Sequence, residues 1–189
     1  MKRDAVILRH TYTRNRDTAR AGLRYYQMRP RGEGEPPRQL FTQEGTVSRE
    51  AAYRLLDTRQ ADRFLAHRLV LSPAPGEEPA DFRAFTRQVM GELEKTQGLA
   101  LHWVAVEHHN TEHPHVHVVL CGGGEEREGR VREVRLDRED HAHLREYGRA
   151  YCRTEARERT GWEATLARAA ASEERERDEP RGTRDDHDR

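Results

Sequence analysis

Apolar residues occur along this chain in two kinds of spacing, which predict both strands and helices. Short runs rich in apolar and β-branched residues are typical of buried strands, and they lie at residues 5–8, 40–42, 68–71, 101–106, 115–120 and 131–136. Apolar positions separated by three or four residues predict helices over residues 14–28, 49–56 and 81–98, and a long helix from residue 137. Hairpins mixed with crossover helices indicate an α+β fold, in which helices cover a largely antiparallel central sheet.

Residue types at the ends of the predicted helices mark where those helices start and stop. Side-chain oxygens accept hydrogen bonds at helix starts, and glycine is favoured just past helix ends. Such signals occur at Ser48, Asp81, Gly98 and Asp137. Glycine and proline at residues 30–37 predict an exposed loop, and the three glycines at 122–124 predict a flexible turn.

The first predicted helix carries two adjacent tyrosines. Its apolar stripe consists of Ala19, Gly22, Leu23 and Tyr26, so Tyr26 is expected to face the core. Tyr25 is turned about 100° from Tyr26 on a regular helix, which makes it the better candidate for reaching solvent and substrate. The alternative is that both rings are core residues at the end of a helix.

Histidine is concentrated in one short segment, although the chain as a whole has eleven. Histidine is the commonest metal ligand among side chains, so this density indicates a metal site. The five histidines concerned, all within residues 107–120, are His108, His109, His113, His115 and His117.

The spacing of these histidines predicts that three of them meet. His115 and His117 lie two residues apart on a predicted strand and therefore point to the same face. His108 ends the preceding predicted strand, and a hairpin would bring it beside them. Three imidazoles leave coordination positions open, as a catalytic metal requires. One alternative is that the His-x-His pattern is a coincidence, or that the histidines lie in a solvated loop that binds metal incidentally. Another is that His109 or His113 replaces His108 as the third ligand.

The string H-x-N-T-x-H-P-H-V-H-V-V, at residues 108–119, resembles the third motif of the relaxase/mobilisation nucleases of the HUH endonuclease superfamily. Leu23-Arg24-Tyr25 matches the L-R-Y around the nucleophile of that family, and Ser72-Pro73 resembles its second motif. Many members carry aspartate where this chain has Asn110. The resemblance covers about residues 5–160 and implies an HUH-endonuclease-like fold.

What the resemblance implies is a site- and strand-specific nickase of single-stranded DNA at a plasmid transfer origin. Tyr25 would attack a phosphodiester and keep the 5′ phosphate, and one divalent ion, Mg²⁺ or Mn²⁺, would be held by a histidine triad. All-imidazole sites would also accept Zn²⁺. The implied ligands are His108, His115 and His117; the implied acid/base is His109 or His113; the implied DNA contacts are Arg24, Arg29 and Ser72.

Two other classes of function are compatible with the same residues. A rolling-circle replication initiator or a transposase shares the chemistry but serves another process. A non-cleaving accessory protein that binds nucleic acid would keep the fold without the reaction. Other DNA-processing or secretion proteins are the further partners that a role in plasmid mobilisation implies.

Charge is distributed unevenly, although the formal net charge is zero. Residues 1–70 contain 15 Lys and Arg against 8 Asp and Glu, a net charge of +7, and the remaining residues carry −7. The basic part would attract phosphate; the alternative is that arginine-rich helices merely present a solvated face.

Two isolated cysteines, Cys121 and Cys152, argue against a disulfide framework or a cysteine zinc site. No segment predicts a membrane span or a signal peptide, so a cytoplasmic protein is expected. We expect a nuclease domain over residues 1–160, followed by a charged, disordered tail over residues 161–189.

Overall fold

The computed structural model describes residues 6–29, 36–109 and 112–178. Within these ranges, eight strands and four helices follow one another in the order β1 (Val6–Thr13), α1 (Arg16–Met28), β2 (Leu40–Phe41), β3 (Thr46–Val47), α2 (Arg49–Thr58), β4 (Ala66–Pro73), α3 (Phe82–Gln97), β5 (Trp103–His108), β6 (His115–Cys121), β7 (Gly123–Glu125), β8 (Val131–Glu133) and α4 (Arg138–Asp178). Within this part of the chain no helix combines the length and apolar character needed to cross a lipid bilayer.

Six of the strands form one sheet, in the order β1-β4-β6-β5-β2-β3. Every neighbouring pair in it is antiparallel, and β7 and β8 form a separate two-stranded hairpin. The prediction of an α+β fold with an antiparallel central sheet is therefore confirmed. The central position of β6 follows from its composition, because a run of valines packs well when both faces of a strand are covered.

The two faces of the sheet bury two separate apolar clusters. Val116, Val118 and Leu120 point from β6 toward α3 and α4, where they join the larger cluster. Val119 and Cys121, which alternate with them, point toward α1 and α2 and join the smaller one. The smaller cluster ends at Val119 along β6, so the residues on the same face nearer the start of β6 are left for the site.

The helices begin and end where the residue types predicted. The side chains of Ser48 and Asp81 accept hydrogen bonds from backbone N–H groups in the first turns of α2 and α3. Asp137 does the same for α4, and Gly98 ends α3 with a φ of 63°. Left-handed backbone of this kind favours glycine, because other residues place Cβ too close to the carbonyl oxygen. α1 begins after Asn15, whose side chain accepts from Thr18.

Residues 122–124 were predicted to be a flexible turn, and this prediction is wrong. Gly123 and Gly124 belong to β7, which pairs with β8. Gly122 donates its N–H to the carbonyl of Leu65, and a Cβ on it would lie 1.6 Å from the carbonyl oxygen of Phe64. Glycine is needed there because two backbone segments touch, which is a contact between distant parts of the chain.

The C-terminal segment also differs from the expectation of a disordered tail. α4 continues as one helix to Asp178, and residues 179–189 lie outside the described residues. Alanine, arginine and glutamate dominate this segment and favour helix even without apolar periodicity. The end of the nuclease domain at residue 160 stays a prediction. Most of the loop predicted at 30–37 also lies outside the described residues, and so does Asn110.

Candidate active site

The hairpin formed by β5 and β6 brings three histidines together. His108 and His115 are directly opposite each other in the antiparallel register, and His117 lies on the same face two residues further along β6. One nitrogen from each of the three rings lies within 4.8 Å of the others. The structure therefore assembles the triad that the strand spacing predicted.

Backbone carbonyls orient two of these rings. The Nε2–H of His108 donates to the carbonyl of Tyr26 over 2.8 Å, and the Nδ1–H of His115 donates to the carbonyl of His113 over 2.8 Å. The remaining nitrogens, Nδ1 of His108 and Nε2 of His115, are left with lone pairs. Such contacts to the second nitrogen set the tautomer of a ligand histidine.

The donor set fits a divalent metal ion. The Nε2 atoms of His115 and His117 are 3.2 Å apart, a separation that two nitrogens sharing one ion at about 2.1 Å each would have. Nδ1 of His108 is buried and has no hydrogen-bond partner among the described residues. A buried lone pair without a partner is unfavourable, and coordination would satisfy it.

Burial keeps the three rings neutral. It lowers the pKa of His117 to about 3, helped by the other two histidines, and lowers the pKa of His108 to about 4. The pKa of His115 is lowered for the same main reason, and the nearby positive charges of Arg29 and Arg38 act in the same direction on all three rings. Metal ligands must be deprotonated, so the site is prepared for binding at neutral pH.

The two tyrosines of α1 take the two positions that the helix periodicity predicted. Tyr25 is 60% exposed, whereas Tyr26 is partly buried against the smaller apolar cluster. The ring of Tyr26 also lies flat on the imidazole of His117, with 3.9 Å between ring centroids and 7° between planes. Tyr26 thus forms part of the wall of the site, a contact between residues 91 positions apart that helix periodicity does not reveal.

A cleft of about 420 Å³ opens in front of His115 and His117. Besides these two histidines, three predicted site residues line it, namely Arg29, Ser72 and His113. Ser72 is buried, and its hydroxyl donates to the carbonyl of Pro114 over 3.4 Å, which ties β4 to the loop that precedes β6.

Two other predicted site residues lie away from this cleft. The Nε2 of His109 is 2.9 Å from Glu107, and its ring packs edge-on against Phe82 of α3, on the other side of the sheet. Arg24 is an exposed residue of α1 and does not line the cleft. The geometry thus separates His109 from the triad and brings His113 to it.

Three charged residues near the triad were missed from the sequence. Arg9 of β1 and Glu112 line the cleft. Arg38 is only 5% exposed, and its guanidinium donates to the carbonyl of Arg29 at the end of α1. No local signal marks Arg9 and Arg38, because each is an ordinary charged residue until the fold places it beside the histidines, whereas Glu112 lies within the histidine-rich segment itself.

Comparisons with known proteins agree with this arrangement. The family model for the relaxase MobA/VirD2-like nuclease domain matches residues 38–155. The conjugative relaxase TrwC is similar in fold. A TrwC complex with a 27-mer DNA comprising the recognition hairpin and the cleavage site has a TM-score of 0.55 at 15% identity, covering 80% of this chain and 69% of that chain. Among curated proteins, no sequence gives a significant match.

Two further TrwC structures with oriT DNA, one metal-bound and one metal-free, each cover 80% of this chain and 70% of theirs. Their TM-scores are 0.57 at 16% identity and 0.56 at 17% identity, respectively. At such identities the likeness shows the fold, and it confirms the predicted HUH-type architecture. Because the family model matches more than half of the chain, this protein belongs to the family of relaxases with a MobA/VirD2-like nuclease domain.

Proposed function

We propose that this protein nicks single-stranded DNA at a plasmid transfer origin by metal-assisted attack of Tyr25 on a phosphodiester. The observation that carries the proposal is the neutral histidine triad at an open cleft, directly beside the end of α1 that bears the tyrosines. Membership of the relaxase family and the TrwC complexes with oriT DNA support it.

His108 and His115 would hold the divalent ion through the nitrogens that their carbonyl contacts leave available, and His117 would do so through Nε2, which faces Nε2 of His115. When bound, the ion supplies positive charge to the non-bridging oxygens of the scissile phosphate, where negative charge grows in the transition state. Mg²⁺ or Mn²⁺ is the proposed native ion. Imidazole ligands also suit Zn²⁺ and copper, and one TrwC structure is copper-bound.

Tyr25 is the proposed nucleophile because its ring is exposed and lies next to Tyr26, with 6.0 Å between ring centroids, whereas Tyr26 is held against His117. Its phenolic oxygen would form a bond to phosphorus while the bond from phosphorus to the 3′ oxygen breaks. The 5′ phosphate would stay on the tyrosine and the 3′ oxygen would take up a proton. An unperturbed tyrosine has a pKa of about 10, so attack at neutral pH needs a group that accepts the phenolic proton.

His113 is the better of the two histidines proposed for this proton transfer. It lines the cleft, whereas the imidazole of His109 is hydrogen-bonded to Glu107 on the other side of the sheet. Arg29 is placed to bind a phosphate within the cleft, and Arg24 lies on the exposed surface of the same helix. Ser72 would act mainly by holding the loop before β6 in position.

The test is a search for a covalent adduct between protein and DNA. The protein is incubated with Mn²⁺ and a panel of single-stranded oligonucleotides that carry plasmid transfer origins. A band that survives denaturation, and that is lost with a chelator or in Tyr25→Phe, is the expected result. Binding of single strands without an adduct on any oligonucleotide would contradict the proposal and favour a non-cleaving accessory protein.

A further inference from the structure

Arg68 of β4 lies next to the active-site cleft. Alternation along the strand puts Arg68, Val70 and Ser72 on the face that carries the triad, and Val70 pairs with both His117 and Arg9. Arg68 is thus the next residue on that face, about 7 Å beyond the cleft wall. Among the described residues it forms no hydrogen bond or ion pair, and its Nε is buried.

The guanidinium of Arg68 reaches under α1. A Cβ placed on Gly22 would lie 3.7 Å from Cδ and 3.8 Å from Nη1 of Arg68. Gly22, Tyr25 and Arg29 follow one another at helical spacing of three and four, and Arg29 lines the cleft. The same stripe of α1 therefore extends from Arg68 to the cleft and passes the proposed nucleophile.

The strand next to Arg68 leaves this region open on its other side. β1 is the edge strand of the sheet, and Thr11, which pairs with Arg68, is exposed. Arg9, two residues back on the same face, is exposed and lines the cleft. The sheet face beside α1 is thus open along β1, and we call this strip, which carries Arg9 and Arg68, the groove.

We propose that Arg68 binds a backbone phosphate of the single strand next to the scissile phosphate, so that the strand follows this groove. The inference rests on the proposed function, because it takes the scissile phosphate to lie over the triad. A guanidinium offers a planar pair of donors that matches phosphate oxygens. A bound phosphate would also supply the acceptor that the buried Nε lacks. The groove is readily entered by one strand, because an edge strand has no neighbour to block it.

The test is the salt dependence of binding to a labelled oligothymidylate, measured by fluorescence anisotropy without metal, so that no nicking is involved. Each phosphate contact to a single strand contributes about 0.7 to the slope of log affinity against log salt. Arg68→Gln is expected to lower that slope by about this amount. Arg68→Met keeps the aliphatic stem and should lower the slope by the same amount, so it serves as the test if Arg68→Gln folds poorly.

The matched control is Arg138→Gln, which removes the same charge from an exposed position on α4, across the sheet. Its slope is expected to equal that of the wild type. Slopes in both Arg68 variants that match the control would overturn the inference, even if adduct formation still occurs. If Arg68→Gln lowers the slope but the wild type never forms an adduct, the phosphate site at Arg68 stands and the proposed function is wrong. Failure of the wild type to bind single strands would overturn both.

Discussion

At the scale of single residues, the site depends on the nitrogen that each histidine leaves available. His117→Ala removes a ring that is 3.2 Å from His115 and stacked on Tyr26. Because three ligands leave little redundancy, we expect loss of stoichiometric binding of a divalent metal with the fold retained. Isothermal calorimetry and circular dichroism check these two outcomes. His143→Ala, which removes an exposed histidine from α4, should bind as the wild type does. Unchanged affinity in His117→Ala would contradict the triad.

The choice between two adjacent tyrosines is also decided at this scale. Tyr25→Phe deletes only the exposed hydroxyl, so it should abolish the covalent adduct while stability and metal affinity are kept. Tyr26→Phe keeps the ring that stacks on His117 and should leave most of the adduct. Mass spectrometry of the trapped complex locates the modified residue. A phosphodiester on Tyr26 would show that the exposed ring is not the nucleophile.

Three other histidines form a chain of hydrogen bonds across the opposite face of the sheet. His141 of α4 contacts His10 over 3.1 Å, His10 contacts His67 over 2.9 Å, and His67 donates to the carbonyl of Val134 over 3.1 Å. Burial, with the neighbouring His67 and His141, lowers the pKa of His10 from 6.5 to about 4. The ring is therefore neutral in the folded protein at neutral pH.

The lowered pKa of His10 makes stability depend on pH. The unfolded chain protonates His10 more readily than the folded protein does. The stability that the neutral ring contributes is therefore present above pH 6.5 and is lost as pH falls through about 4. We expect the free energy of unfolding to decrease as pH falls over that range, through protonation of His10. His10→Gln should flatten the pH dependence measured by urea unfolding relative to that of the wild type. A pH dependence equal to that of the wild type would contradict the assignment to His10.

At the scale of elements, the packing of β7 against the start of β4 depends on Gly122. Its missing side chain leaves room for the carbonyl of Phe64, which a Cβ would meet at 1.6 Å. Gly122→Ala should destabilise the protein by about 3 kcal/mol or more, because backbone rather than a flexible side chain must move. Gly91 lies in α3, and a Cβ added to it would meet no neighbouring element within 4 Å. Gly91→Ala should therefore stabilise the protein by about 0.5–1 kcal/mol. Thermal unfolding of the two variants tests the contrast. A neutral effect at Gly122 would mean that the close approach is easily relieved.

At the scale of the whole molecule, the far end of α4 stands apart from the core. Trp162 and Leu166 are 65% and 52% exposed, and the family match ends at residue 155. We therefore expect a chain that ends at residue 160 to keep its free energy of unfolding within about 0.5 kcal/mol and to retain metal binding. Chemical denaturation and calorimetry of the shortened chain measure both. A large loss of stability would place the domain boundary further along α4.

The sequence by itself determined the parts of this protein that depend on neighbouring residues. The caps at Ser48 and Asp81, the shared face of His115 and His117, and the different exposure of Tyr25 and Tyr26 follow from helix and strand geometry over a few residues. The hairpin that adds His108 is also local, because its two strands are separated by a single short connection. These features predicted the fold class and the triad together.

Tertiary structure alone decided which distant residues lie around that triad. The order β1-β4-β6 brings Arg9 and Arg68 beside the histidines, and the docking of α1 places Tyr26 on His117. The same packing holds His109 on the α3 side, against the expectation that it shares the site. The spacing of residues along one segment cannot encode these contacts. They arise from the order in which separate strands pair and from which sheet face each helix covers.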